Sequence, residues 1–270
     1  MKLGIGTYAC MWSIGLPGAQ PSNPMDAYAF LTKAKELGLS LVQFGPNLPL
    51  DHLHDSDLAR LFDYAQRSGI QIECGTRTLE PSHLRKQISL AHRLGASLLR
   101  TVPDFEVGAA PSPRELAATL AVILPDLEKN QVRLAIENGN IPARDLSELL
   151  EILGSPWIGV TLDTANSLAI PEGTQHVVST LAKYAFSLHV KDFVVSRAWH
   201  RMGFLVEGRP AGKGQMNIAW ILRELKTAGA EPNAILELWP PQQSSLQATI
   251  ALEQAWAVES IRYLREFMPV

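Results

Sequence analysis

Cysteine is scarce: Cys10 and Cys74 are the two in 270 residues, far apart and outside any C-x-x-C. A disulfide framework and a thiolate metal site are thereby excluded, and both thiols are expected to stay reduced in a cytosol. An excess of positive charge is missing too. With 24 Lys and Arg against 27 Asp and Glu, the formal net charge is −3, so no basic field exists to hold nucleic acid. No uninterrupted apolar run approaches the ~20 residues that cross a bilayer, which removes the membrane as a partner. The first residues, MKLGIGTYACMWSIGLPGA, carry one Lys and then a mildly apolar stretch, but four glycines with Thr7, Tyr8 and Ser13 interrupt it. They read as the first strand of a mature cytoplasmic protein and not as a signal peptide.

What is present is a strand-and-helix module used over and over. Short β-type runs occur at LGIGTY (3–8), LVQF (41–44), IQIE (70–73), SLLRTV (97–102), VRLAIE (132–137), IGVTLD (158–163), FSLHVK (186–191) and AILEL (234–238). Helical patterns separate most of them. In SPRELAATLAVILPDLEKN, Ser112 is placed to cap, Pro113 takes the first helical position, Glu115 completes a capping box and Pro125 breaks or kinks the helix. Gly38, Gly69, Gly95 and Gly229 each stand between a helix and the next strand, the position of a left-handed helix stop. Ile250, Ala257, Ile261, Leu264 and Met268 predict a closing outer helix. Eight alternating units in this length predict a single-domain (β/α)8 barrel over 1–270, with a glycine-rich loop insertion at about 192–216. A doubly wound open sheet is the alternative, weakened because no GxGxxG follows the first strand.

In a barrel the chemistry belongs at the carboxyl ends of the strands. Strand five ends in Glu137, strand six in Asp163, strand seven carries His189 and strand eight Glu237. The first three recur at intervals of 26 residues. Taken singly, each has a bland account: a helix cap for Glu137 or Asp163, a hydrogen-bonded core imidazole for His189, an Arg partner for Glu237. Taken together they converge on one cavity, where three carboxylates without a counter-charge repel and are costly to desolvate. A divalent cation resolves the conflict. The mostly oxygen donor set suits manganese or magnesium, with cobalt or zinc tolerated through His189.

The segments IEN, LDTAN, LHVKD, G-K-G and ILELW, in this order and spacing, resemble the xylose isomerase-like, sugar phosphate isomerase/epimerase superfamily, and the resemblance covers nearly the whole chain. It implies that Glu137, Asp163, His189 and Glu237 hold one divalent metal and that Glu137 and Glu237 also carry protons. Members include ketose 3-epimerases, hydroxypyruvate isomerase, inosose and dehydroshikimate dehydratases, and type IV apurinic endonucleases. There are departures. Many of the epimerases have His three residues after the strand-six Asp, where this chain has Asn166, and a further Glu soon after the strand-five Glu, where this chain reads NGNIPARD. The endonuclease branch needs a richer histidine set than the 7 present, which removes DNA repair.

Further polar residues at the predicted rim are Gln43, Glu73 with Arg77, Arg100, Asn166 and Lys191 on or beside strand ends, and His200, Arg201, Arg209 and Lys213 in the insertion. Lys191 lies two residues past His189 and points to the same side of its strand. This cationic bias suits an anionic substrate, a sugar acid or phosphorylated sugar, although loop Arg and Lys are commonly just solvated. Trp12, Trp199 and Trp239 are candidates to wall the pocket. The first expectation is therefore an isomerase or epimerase acting on a small keto-sugar or sugar acid through a metal-stabilised enediolate. The second is a decarboxylase or dehydratase of a 3-oxo sugar acid on the same site, to which HRMGFLVEGRPAGKG and LDTANSL are similar. A non-catalytic sugar-acid-binding barrel is the third. Homo-oligomerisation is common among proteins with this resemblance.

Overall fold

Eight strands, each buried along most of its length, account for the chain's course. They are β1 (Leu3–Gly6), β2 (Leu41–Phe44), β3 (Gln71–Arg77), β4 (Leu98–Val102), β5 (Arg133–Glu137), β6 (Ile158–Asp163), β7 (Ala185–Val190) and, after a two-stranded ribbon of β8 and β9, β10 (Asn233–Leu236). In the computed structural model, which describes residues 1–106 and 109–268, these eight pair in parallel and close into a barrel in the order β1-β10-β7-β6-β5-β4-β3-β2. The expected (β/α)8 barrel is the observed fold, and the open sheet is excluded by closure of β1 onto both β2 and β10. No helix among the described residues is long and apolar enough to cross a membrane.

Local chemistry places the elements. Ser112 and Glu115 form the predicted capping box at the helix Pro113–Ala121. That helix stops, and Pro125 sits in the first turn of a separate one, Leu124–Asn130, because a proline there lacks the N–H the longer helix would need. The four predicted stop glycines all take positive φ, between 65° and 74°. Cys10 and Cys74 are free and buried, and burial pushes the Cys74 thiol up to about 12, so it stays protonated.

The structure departs from sequence expectation in three places. The last barrel strand ends at Leu236, which leaves Glu237 just beyond the tip, its N–H donating to Val190 O at 3.2 Å. The closing helix, Leu246–Leu264, buries Thr249, Glu253 and Ser260 beside Ala257, Ile261 and Leu264, while Ile250 is only half-buried. The polar inner face holds down the chain's first turn. Glu253 accepts the N–H groups of Trp12 and Ser13 at 2.7 and 3.0 Å, at the start of the helical turn Met11–Ile14 that β1 leads into. The glycine-rich insertion is an antiparallel ribbon, β8 (Asp192–Arg197) with β9 (Phe204–Arg209), registered from Asp192↔Arg209 to Arg197↔Phe204. Two six-residue runs rich in β-branched and aromatic side chains outweigh the loop signal of the glycines between and after them.

Candidate active site

The strand register brings the predicted residues together. Asp163 pairs directly with His189 across β6 and β7, and Glu137 pairs with Thr161, one pleat from Asp163. Glu137, Asp163 and His189 are all buried, and each offers a ligand atom within 4.8 Å of the others. His189 Nδ1 is 3.4 Å from Glu137 Oε2, 3.7 Å from Asp163 Oδ2 and 3.4 Å from Glu237 Oε1, so Glu237 reaches the same nitrogen from beyond the β10 tip.

Each of these groups is aimed by a neighbour. Asp163 Oδ1 accepts the N–H groups of Ala165 and Asn166, both at 2.8 Å, which is the capping role its sequence position allows. Oδ2 is left for the centre. Asn138 clasps the Asp163 backbone, accepting its N–H at 2.6 Å and donating to its carbonyl at 3.1 Å. His189 Nε2 lies 2.8 Å from Gln43 Oε1; Gln43 Nε2 in turn donates to Glu73 at 3.1 Å, and Asn233 donates to the other Glu73 oxygen at 2.9 Å. That relay fixes the Gln43 amide with its oxygen toward the imidazole. His189 then donates from Nε2, and Nδ1 faces the carboxylates, which outweigh burial and favour its protonation until a metal takes that position.

Two cations stand among the acids. Arg100 pairs with Glu137 through Nε, and its Nη2 is 3.9 Å from Glu237. Lys191 Nζ is 2.8 Å from both Asp163 Oδ2 and Glu237 Oε2 and donates to Asn166 Oδ1 at 3.1 Å; Asn166 donates in turn to Glu137. Burial pulls Lys191 down, but Asp163 and Glu237 outweigh it and hold the ammonium above its ordinary range. Burial likewise pushes Glu237 and Asp163 up, and the facing cations reverse this, leaving both below the usual carboxylate range.

The residues fit a divalent ion. His189 Nδ1 and Asp163 Oδ2 are buried without a regular hydrogen bond, although Lys191 approaches the latter. An imidazole nitrogen surrounded by three carboxylates is an arrangement that a divalent cation satisfies.

A cavity of about 630 Å³ opens above this centre. Of the expected substrate contacts, Arg100, Asn166 and Lys191 line it, together with Glu137 and Glu237. Gln43 is buried behind His189 and reaches the site only through it. None of the three expected contacts from the insertion's ribbon lines the cavity: His200 and Arg201 lie exposed in the turn joining β8 to β9, and Arg209, at the ribbon's base opposite Asp192, turns its guanidinium to Gly208 O and Glu207. Trp239 walls the cavity; Trp12 donates to Pro240 O elsewhere, and Trp199 is 93% exposed.

Sequence reasoning passed over Tyr8 and Asp192. Tyr8 lines the cavity from just past β1, where a strand-end aromatic is as easily packing. Asp192, buried, accepts the N–H groups of Gly212, Gly214 and Met216 at 2.8, 2.9 and 3.0 Å, which explains the G-K-G segment. A Cβ on Gly214 would lie 2.1 Å from Asp192 Oδ1. The acid directly after the inward lysine of HVKD was the available signal.

With fold and site described, the chain belongs to the xylose isomerase-like TIM barrel family, whose model it matches over residues 31–267. It is similar to the 3-oxo-isoapionate decarboxylase of Pectobacterium atrosepticum, 29% identical over 265 residues that cover 98% of this chain and 95% of the relative. Among solved structures it resembles a D-psicose 3-epimerase with D-tagatose from Clostridium cellulolyticum H10, with a TM-score of 0.75 and 14% identity over 98% of this chain and 99% of the other. A xylose isomerase-like TIM barrel protein from Mycobacterium smegmatis in complex with magnesium also matches, with a TM-score of 0.68 and 14% identity over 97% of both chains.

Proposed function

We propose that this protein is a divalent-metal-dependent decarboxylase of a small 3-oxo sugar acid. One observation carries the reading: both candidate C–H bases are already engaged by cations, Glu137 by Arg100, and Glu237 by Lys191 at 2.8 Å. A carboxylate so paired is a weak base for removing a proton from carbon. Loss of carbon dioxide from a β-keto acid needs no such base, because the bond between the α-carbon and the carboxyl carbon supplies the electron pair of the enolate. The long match to a relative named as a 3-oxo-isoapionate decarboxylase points the same way.

A metal held by Glu137, Asp163, His189 and Glu237 would supply Lewis acidity toward the oxygens of the substrate's keto group and its neighbouring hydroxyl. Lys191, on the cavity wall, holds a proton that is far more available than that of a ketone C–H and delivers it to the α-carbon after carbon dioxide leaves; water then reprotonates the amine, and its hydroxide ends with the carbon dioxide as bicarbonate. Asn166 orients that ammonium through Oδ1 while its amide N–H holds Glu137. Leu168, Val206 and Trp239 give the cavity an apolar wall that limits water near the enolate. An epimerase remains the second reading, favoured by the symmetric approach of Glu137 and Glu237 to His189 Nδ1, each at 3.4 Å.

The test incubates the protein with magnesium or manganese and a panel of 3-oxo sugar acids in deuterium oxide, with ketoses in parallel. Release of carbon dioxide with one deuteron incorporated at the former α-carbon is the expected result. Deuterium exchange into ketoses, with no carbon dioxide from any acid, would replace the proposal by epimerisation.

A further inference from the structure

The cavity has a second wall that the metal centre does not use. It is built from β3, β4 and the turn that follows β1, and it carries Arg77, Arg100 and Tyr8. Arg100 is 3% exposed and unevenly satisfied: Nε is taken by Glu137, Nη2 approaches Glu237, and Nη1 has no hydrogen-bond partner. Arg100 lines the cavity, so its unpartnered buried N–H is a donor that an entering anion would satisfy.

Arg77 lies two residues past Gly75, the residue that pairs with Arg100 across β3 and β4, so Arg77 and Arg100 share the inner face one pleat apart. Gly75 has no room for a side chain, since a Cβ there would meet Phe44 O at 2.9 Å, and this leaves the wall clear for the Arg100 stem. The Arg77 guanidinium contacts Tyr8 Oη at 3.4 Å, and no carboxylate among the described residues lies within ion-pair distance of it. The same tyrosine ring lies 5.9 Å from Arg100 Cζ. The backbone just after Arg77 is held in a costly conformation. Thr78, β-branched, has φ +70°, and it is pinned by its N–H to Val102 O at 2.8 Å and by Thr101 Oγ1 on its carbonyl at 2.6 Å.

We infer that Arg77, Tyr8 and Arg100 form an oxyanion site that takes the carboxylate of the substrate, oriented so that its keto group faces the Glu137–Asp163–His189 side of the cavity. This rests on the decarboxylase reading only for the name of the acid. The charge balance supports it independently. Arg100 and Lys191 offset two of the three carboxylates, a divalent ion turns the centre positive, and unpaired Arg77 adds to that, so the cavity attracts an anion, and a monoanion reduces the excess positive charge.

The anion is a carboxylate and not a phosphate. A phosphate site on a barrel rim relies on clustered backbone N–H groups. Here the glycine-rich segment after the ribbon has spent its N–H groups on Asp192. The wall offers one open guanidinium fork, that of Arg77, the Tyr8 hydroxyl and a single free N–H on Arg100, few donors that suit the two oxygens of a carboxylate better than the three of a phosphate. Decarboxylation then removes the very charge that holds the substrate, so the neutral product loses its grip on this wall and departs.

The test compares three probes of one carbon skeleton by calorimetry on metal-loaded protein: erythronate, its neutral counterpart erythritol, and erythritol 4-phosphate. The proteins are the wild type, Arg77→Leu and Arg77→Lys, with thermal unfolding to confirm that each is folded. Arg77 is exposed and ends its strand, so both variants are expected to fold. Erythronate is expected to bind more tightly than the other two, to weaken at least tenfold in Arg77→Leu, and to recover in part in Arg77→Lys, while erythritol is unaffected. On any acid that releases carbon dioxide, Arg77→Leu should raise KM more than it lowers kcat. Equal erythronate affinity in wild type and Arg77→Leu, no erythronate binding to the wild type, or tighter binding of the phosphate would each overturn the inference. Arg77-dependent erythronate binding without decarboxylation of any acid would leave the oxyanion site standing and remove the reaction assigned to it.

Discussion

Replacing Gln43 by Leu tests how the barrel aims its imidazole. Gln43 Oε1 is 2.8 Å from His189 Nε2 and Gln43 Nε2 is 3.1 Å from Glu73, all buried. Leucine has a similar volume, so the change removes hydrogen bonds without opening a large hole. Two buried groups lose their partners, the Nε2–H of His189 and one oxygen of Glu73. At about 1–3 kcal/mol for each orphaned group, the barrel should lose about 2–6 kcal/mol of stability. The imidazole, no longer held to one tautomer, should bind the metal about 10–100-fold more weakly, which is about 1.4–2.7 kcal/mol. The assay titrates manganese into metal-free protein by calorimetry and follows thermal unfolding alongside. A companion double variant, Gln43→Glu with Glu73→Gln, reverses the polarity of the pair yet keeps an acceptor for His189, a donor between the two side chains and an acceptor for Asn233. It should recover much of the lost affinity. If Gln43→Leu lowers the melting temperature while the manganese dissociation constant stays put, Gln43 merely packs, and it does not set the His189 tautomer.

Other consequences can be checked with less effort. Glu237→Gln should abolish turnover while circular dichroism and melting temperature show an intact barrel; retained activity would remove Glu237 from the chemistry. Gly214→Ala should cost about 1–3 kcal/mol by overpacking, since its Cβ would lie 2.1 Å from Asp192 Oδ1 and 2.5 Å from Phe193 O; it should also open the segment from Asp192 to Met216 to proteolysis, and an unchanged cleavage rate would contradict this. Glu80 caps the helix Pro81–Arg93, and hydrogen bonds from the Ser82 hydroxyl and the Ser82 and His83 N–H groups lower its carboxyl from 4.5 to about 2. A folded pKa below the unfolded one means stability that is present above about pH 4.5 and lost as pH falls toward 2. Glu80→Gln should therefore melt earlier than wild type at neutral pH, and the two curves should converge at the acid end; a gap that persists there would refute the linkage.

Much of this site is legible in the chain alone, because a barrel imposes a period. Glu137, Asp163 and His189 stand 26 residues apart, one βα unit each, and the parallel register sets Asp163 opposite His189 and Glu137 one pleat away on the same face. Lys191 is legible for the same reason, two residues on from an inward His. The rim cations of the insertion are not. His200, Arg201 and Arg209 look like Lys191 in composition, but the runs DFVVSR and FLVEGR pair with each other, which leaves His200 and Arg201 in an exposed turn and Arg209 bonded to Glu207 and Gly208. Polar residues facing the interior are equally hidden. Glu253 on an outer helix reads as a surface charge until the helical turn Met11–Ile14 presents two N–H groups to it.

Alternating strands and helices, their caps and stop glycines, and the acids at successive strand tips are properties of neighbouring residues, so the linear order determined the barrel and the cluster of acids and imidazole that could hold a metal. Which nitrogen of His189 is free, which cation guards which carboxylate, and the pairing of Tyr8 with Arg77 depend on residues far apart in the chain, 69 positions for Tyr8 and Arg77 and 146 for Gln43 and His189. Only closure of the sheet brings such residues within hydrogen-bond reach, and a bond of that length leaves no periodic trace in the chain.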